Sequence, residues 1–151
     1  MDVIIDNRQD KIIIDQDIID TINLVIKECL KFEDKGFNYE ISVSIVNDEE
    51  IKELNNQYRD KNSATDVLSF PMEDDNSLDG IIPLLGDIVI SAEKALEQSE
   101  EYNHSFKREI AYLTAHSMFH LMGYDHIEKE DKKVMREKEK EIMKLLKIFK
   151  S

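Results

Sequence analysis

The sequence predicts a single α+β domain of four strands packed with about five helices. Three observations carry that prediction. The chain has 151 residues, enough for one domain of ordinary size and too few for two. Short runs of period-two apolar alternation are interspersed with longer runs in which apolar residues recur every three or four positions. No internal repeat, low-complexity tract or Pro/Gly-rich linker interrupts the order, as only 4 glycines and 2 prolines are present.

Val3 to Asp6 reads as a short first strand. Ile18, Ile22, Val25, Ile26 and Cys29 then mark the inner face of a first helix that ends before Gly36. Tyr39 to Val46 alternates apolar and polar residues and predicts a strand with one buried face. Asn47 followed by Glu50 forms a capping-box pattern for a second helix, with Ile51 and Leu54 turned inward. Val67 to Phe70 and Leu84 to Ile90 are β-rich and flank the acidic, turn-forming stretch Glu73 to Gly80, so they pair as a long-looped hairpin. Ser91 caps a third helix to Glu101. Phe106 to Met122 is a fourth, apolar enough to be central, and Gly123 stops it. From Glu128 a charged helix carries Val134, Met135, Ile142, Leu145, Leu146 and Phe149 on its apolar positions and, by this reading, a solvated charged face.

Composition narrows the function. Acidic residues number 33 and basic residues 20, a formal net charge of −13, with 41% hydrophobic residues. The apolar share excludes a disordered polyanion, and the charge argues against a generic binder of nucleic acid or anionic membranes, with no DNA or membrane partner expected. The lone Cys29 excludes an internal disulfide and a cysteine-rich zinc finger, and is expected to be a small buried hydrophobe. With no apolar run near 18 residues, the expected location is cytoplasmic.

Chemistry concentrates in His116-Ser-Met-Phe-His120-Leu-Met-Gly123-Tyr-Asp-His126. Residues four apart in a helix lie one above the other, so His116 and His120 present two imidazoles on one face. Gly123 permits a sharp exit that carries His126 back towards them. Three imidazoles holding one Zn²⁺ leave a tetrahedral position open for water, the arrangement of a catalytic site. A structural site would need a fourth ligand, for which Asp125 is the nearby candidate. The spacing matches the metzincin protease signature, but Ser117 stands where those enzymes carry a glutamate base, so a peptidase loses its mechanism. Glu109, seven residues before His116, is expected to orient a ligand or form a surface salt bridge, and His104 to be exposed. Asp75-x-Ser77-x-Asp79-Gly80 imitates a calcium loop, but Gly86 occupies the place of the required glutamate.

A second informative stretch is Asn55-Asn-Gln-Tyr58-Arg59 with Thr65-Asp66-Val67-Leu68-Ser69-Phe70-Pro71. Together with Leu85-Gly86-Asp87-Ile88-Val89-Ile90 and the histidine run, it resembles the YbeY family of single-strand-specific endoribonucleases, from about residue 40 to residue 126. The resemblance implies that the sheet is mixed and the metal site metzincin-like. It implies one zinc ion per chain held by His116, His120 and His126, with Arg59 catalytic beside it. It further implies a role in ribosomal RNA maturation, at the 3′ end of the small-subunit RNA, and in ribosome quality control. Single-stranded RNA and the small ribosomal subunit or its assembly factors are the implied partners. Ser117, Asn62 and Ala64 depart from residues common in the family without removing a ligand. The alternatives are a ribosome-associated binding protein with a structural metal, and a metalloprotease lacking the usual glutamate. Since the net charge repels RNA, binding must come from a local basic lining, for which Arg59, Lys52, Lys61, Lys107 and Arg108 are the candidates near the motifs, or from a docked protein partner.

Overall fold

The computed structural model describes residues 1–72, 84–124 and 128–146. In chain order the elements are β1 (Asp2–Asn7), α1 (Gln16–Phe32), β2 (Glu40–Val46), α2 (Asp48–Arg59), β3 (Val67–Pro71), β4 (Leu84–Ser91), α3 (Ala92–Glu101), α4 (Phe106–Leu121) and α5 (Lys129–Leu146). The strands form one sheet in the order β1-β2-β4-β3. β1 and β2, and β2 and β4, pair in parallel, whereas β3 pairs with β4 antiparallel, so the sheet is mixed. The expected hairpin is this β3–β4 pair. Its connecting segment, including the calcium-loop imitation from Asp75 to Gly80, lies outside the described residues.

Alternation along the strands divides the core in two. Ile41, Val43 and Ile45 of β2 and Ile88 and Ile90 of β4 face the main core, where α1, α3, α4 and α5 supply Ile22, Ala95, Met118, Phe119 and Ile142. Val46, Leu68 and Val89 turn the other way and pack under Ile51 of α2, with Ala64 and Phe70 beside them. Burying apolar area on both faces stabilises the sheet and fixes its register, because a one-residue slip would exchange the two sets. α4 lies in the main core, and its buried residues span Glu109 to Leu121. Cys29 is fully buried on α1, and burial pushes its thiol pKa up, so it is a packing residue and not a nucleophile.

Helix ends follow the sequence signals, with one difference. Asp15, Asn47, Ser91 and Ser105 accept from backbone N–H groups at the starts of α1, α2, α3 and α4. The capping box at Asn47 is only half formed. Glu50, the expected reciprocal partner, instead pairs with Arg8 at 3.0 Å, and the carboxylate of Glu93 takes the Asp48 N–H at 2.9 Å. α4 ends at Leu121, and Gly123 has φ +101° in a turn closed by the Tyr124 N–H on the Phe119 carbonyl at 2.9 Å. No described helix is long and apolar enough to cross a membrane.

Gly86 is where β3, β4 and α4 meet. A Cβ built there would lie 2.6 Å from the Phe70 carbonyl oxygen and 2.5 Å from Leu121 Cδ2. The carbonyl belongs to the paired strand and cannot move without disturbing the ladder. Gly86→Ala is therefore expected to cost about 1–3 kcal/mol in denaturant unfolding; an unchanged midpoint would show that β3 has room to move.

Candidate active site

The site is built on the face of α4 that the i, i+4 spacing selects. The rings of His116 and His120 meet edge to face, with centroids 4.7 Å apart and planes at 80°. Each ring is fixed through Nδ1. His116 Nδ1 donates to Glu139 Oε2 at 3.0 Å, and His120 Nδ1 donates to the backbone carbonyl of Tyr124 at 3.0 Å. A carboxylate and a carbonyl both accept, so in the neutral form of either ring the hydrogen sits on Nδ1 and the lone pair on Nε2. The Tyr124 carbonyl is within reach because Gly123 turns the chain back over the end of α4. His126 and Asp125 lie outside the described residues.

Glu139 was not foreseen among the site residues. It comes from α5, whose charged residues were read as a solvated face, yet it is only 3% exposed. Its second oxygen accepts from the Tyr112 hydroxyl at 2.8 Å, and the Tyr112 ring stacks on His116 at a centroid distance of 6.0 Å. Burial first, and then the Glu139 charge, push the Tyr112 hydroxyl pKa up, so it stays a donor. The buried face of α5 is Met135, Glu139, Ile142 and Met143, whereas Val134 and Leu145 of the expected apolar set are exposed. Position 139 follows 135 by four and precedes 142 by three, so a carboxylate inside an apolar stripe was the available signal.

α5 is held in place near the site by a second group. Lys138 Nζ lies 2.9 Å from Glu33 Oε2 and 4.9 Å from the centroid of the Tyr124 ring. Burial would raise the Glu33 pKa, but hydrogen bonds from Tyr124 and Lys138 outweigh it and leave that carboxyl below its ordinary range.

Two further sequence readings are corrected. His104 is not exposed: its side chain is 14% accessible and its Nε2 lies 2.7 Å from Glu109 Oε1. Glu109 is neither a surface ion pair nor a partner of His116; it is 2% exposed, and burial raises its pKa against the opposing effect of His104. Ser117 is fully buried, and its hydroxyl is hydrogen-bonded to that of Ser69 on β3. That position therefore points into the core and supplies no base.

Arg59 is the last residue of α2. Asp60 adopts a left-handed conformation (φ 55°) and ends the helix, while the Asn55 amide holds the following loop by donating to the Ser63 carbonyl at 2.9 Å. Arg59 Nη2 donates to the Ser69 carbonyl at 3.1 Å. Ser69 thus joins Arg59 through its backbone to Ser117 of α4 through its side chain. The result is a cleft of about 870 Å³ whose walls include Arg59, Lys61, Asp66, His116, His120 and Tyr124. Of the other basic candidates, Lys107 pairs with Asp17 at 3.4 Å, Arg108 faces a neighbouring cavity, and Lys52 is not among the residues of the cleft wall.

Comparison with known proteins defines the class as a hydrolase that acts on RNA. The family model described as Endoribonuclease YbeY matches residues 4–147, and the chain belongs to that family. The Endoribonuclease YbeY of Finegoldia magna is 52% identical over 146 residues, which cover 97% of this chain and 94% of the relative. That of Clostridioides difficile is 52% identical over 150 residues, covering 98% of each. The solution structure of TM1509 from Thermotoga maritima shares the fold at a TM-score of 0.60 and 25% identity, covering 96% of this chain and 91% of that one.

Glu139→Ala leaves the Nδ1 donor of His116 and the Tyr112 hydroxyl without their shared acceptor, an expected cost of about 1–3 kcal/mol in denaturant unfolding. Glu137→Ala, on the exposed side of the same helix, is expected to change stability by about 0.5 kcal/mol or less. Equal effects of the two would refute a structural role for the buried carboxylate.

Proposed function

We propose that the chain is a zinc-dependent, single-strand-specific endoribonuclease of ribosomal RNA maturation, with His116, His120 and His126 as the ligands of one Zn²⁺ and Arg59 as the catalytic residue. The observation that carries this reading is the pair of Nδ1 anchors on His116 and His120. A carboxylate or carbonyl behind each imidazole sets the tautomer that offers Nε2 to a divalent cation and raises its basicity. The two described imidazoles therefore suit a divalent cation. Bound zinc supplies Lewis-acid polarisation at the scissile phosphate.

The remaining chemistry belongs to the chain. Arg59 donates one N–H to the Ser69 carbonyl, which holds the guanidinium at the cleft wall, and its other donors suit the phosphoryl oxygens as negative charge grows on them. Lys61 adds positive charge to the same wall. Glu139 holds His116 in orientation, and Tyr112 holds Glu139. Ser117, in the place of a protease base and bonded to Ser69 in the core, weighs against peptide hydrolysis. Small-subunit RNA 3′-end processing, ribosome quality control, association with the small subunit or its assembly factors, and a cytoplasmic location complete the proposal.

The test is cleavage of single-stranded RNA with and without chelator, alongside metal analysis of variants. His116→Ala is expected to lose both zinc and cleavage. Arg59→Ala is expected to keep zinc while cleavage falls about 10²–10³-fold, and Arg59→Lys to recover only part of the loss, because the charge returns without the planar fork. Parallel loss of zinc and activity in Arg59→Ala would contradict the assignment of Arg59. Metal retention without any cleavage by the wild-type protein would favour a structural metal in a binding protein.

A further inference from the structure

An enzyme with a net charge of −13 must hold a polyanion by local charge, and among the described residues the cleft wall offers only Arg59 and Lys61 as cationic side chains of Lys or Arg. The cations of α5 are concentrated on one face. Lys129, Lys132, Lys133, Arg136, Lys140 and Lys144 follow one another at the three- and four-residue steps that place side chains on one face. Glu130, Glu137 and Glu141 fall on a neighbouring face, while Asp131, four residues before the buried Met135, flanks the buried stripe on the side away from the cations. All six cations are exposed.

This stripe leads to the active site through two shallow cavities. Lys129, Lys132, Lys133, Arg136 and Lys140 border one of about 690 Å³, and Glu130 and Glu137 share its wall, leaving five cations against two acids. Arg136 and Lys140 also border the next, of about 670 Å³, with Lys144, Arg108, Tyr102 and Tyr112. Asp66 is shared between that second cavity and the histidine cleft. The carboxylates of the second cavity are engaged: Asp66 accepts from the Val67 N–H at 2.8 Å and the Gln98 amide at 3.0 Å, Glu109 faces His104, and Glu139 holds His116 and Tyr112. Within this second cavity the acids are hydrogen-bonded, while the α5 cations on its rim are exposed. Tyr102, 60% exposed, adds an aromatic face at the rim.

We propose that the basic face of α5 and the tyrosine-rimmed cavity beside the active site form a track for the single-stranded RNA that flanks the scissile bond. The proposal rests on the reading of the chain as an RNA hydrolase and extends it to the path of the substrate. Backbone phosphates run along Arg136, Lys140 and Lys144, a base stacks on Tyr102, and the strand passes Asp66 into the cleft of His116, His120 and Arg59. Cations spaced along a groove with an aromatic platform are the elements of sequence-tolerant single-strand binding.

The test measures binding of a non-cleavable 2′-O-methyl oligouridine of about 12 nucleotides to the zinc-loaded protein across a salt series. Removing three phosphate contacts in Arg136→Ala/Lys140→Ala/Lys144→Ala is expected to reduce the magnitude of the log Kd against log salt slope by about 2, and to weaken binding about tenfold or more at low salt. Tyr102→Ala is expected to weaken it about fivefold or more without changing the slope. Arg136→Lys/Lys140→Arg/Lys144→Arg keeps the charges and is expected to keep the slope, which separates charge loss from misfolding. Lys27→Ala/Lys31→Ala/Lys35→Ala removes equal charge from exposed positions on and just beyond α1 and is expected to leave the slope unaltered. An unchanged slope in the α5 triple variant overturns the track and leaves the stripe to an acidic protein partner, and an equal change in the α1 variant overturns it in favour of net charge alone. RNA cleavage by the wild-type protein is scored separately, so the track can fail while the nuclease reading stands.

Discussion

A carboxylate enclosed between two helices organises this molecule. Removing an ionised carboxylate from water costs several kcal/mol unless its oxygens are hydrogen-bonded. Glu139 of α5 meets that requirement by accepting from His116 with one oxygen and from Tyr112 with the other, both residues of α4. The bonds that make Glu139 tolerable in the interior also lock the orientation of His116. Docking of the last helix and readiness of the site are thus one event, reinforced where Lys138 bridges Glu33 and the Tyr124 ring.

A similar economy links the arginine side of the cleft to the histidine side. Ser69 offers its carbonyl to Arg59 and its hydroxyl to Ser117, so α2, β3 and α4 are coupled through one residue. Gly86 lets β3 and α4 approach closely enough for this to happen. The small second core under α2, with Ile51, Leu68 and Val89, keeps the helix that carries Arg59 against the sheet. Each cleft wall is consequently backed by packed structure, as a site that must hold charged groups in fixed positions requires.

Most of the architecture was legible in the sequence because its signals are local. Strand alternation in 39–46, the caps at Asn47 and Ser91, the histidine spacing and the stop at Gly123 each act within a few residues. What escaped depends on distant partners. A charged residue in a lysine- and glutamate-rich helix looks solvated until the opposite helix is known, so Glu139 was invisible as a partner of His116 although its place in an apolar stripe marked it. His104 and Glu109 were misread for the same reason: a short histidine–carboxylate contact can be buried or exposed, and packing of α3 against α4 decides which. Glu50 had the correct spacing for a reciprocal cap, but Arg8, from the segment after β1, competed for its charge.

The central claim is that imidazoles braced from behind grip one zinc ion with a coordination position left for solvent. X-ray absorption spectroscopy of the zinc-loaded protein tests it most directly. The account predicts three imidazole nitrogens and one lighter oxygen scatterer at about 2.0–2.1 Å, with the imidazole count falling to two in His126→Ala. A fourth protein ligand in the wild-type spectrum, or an imidazole count unaffected by that substitution, would contradict it.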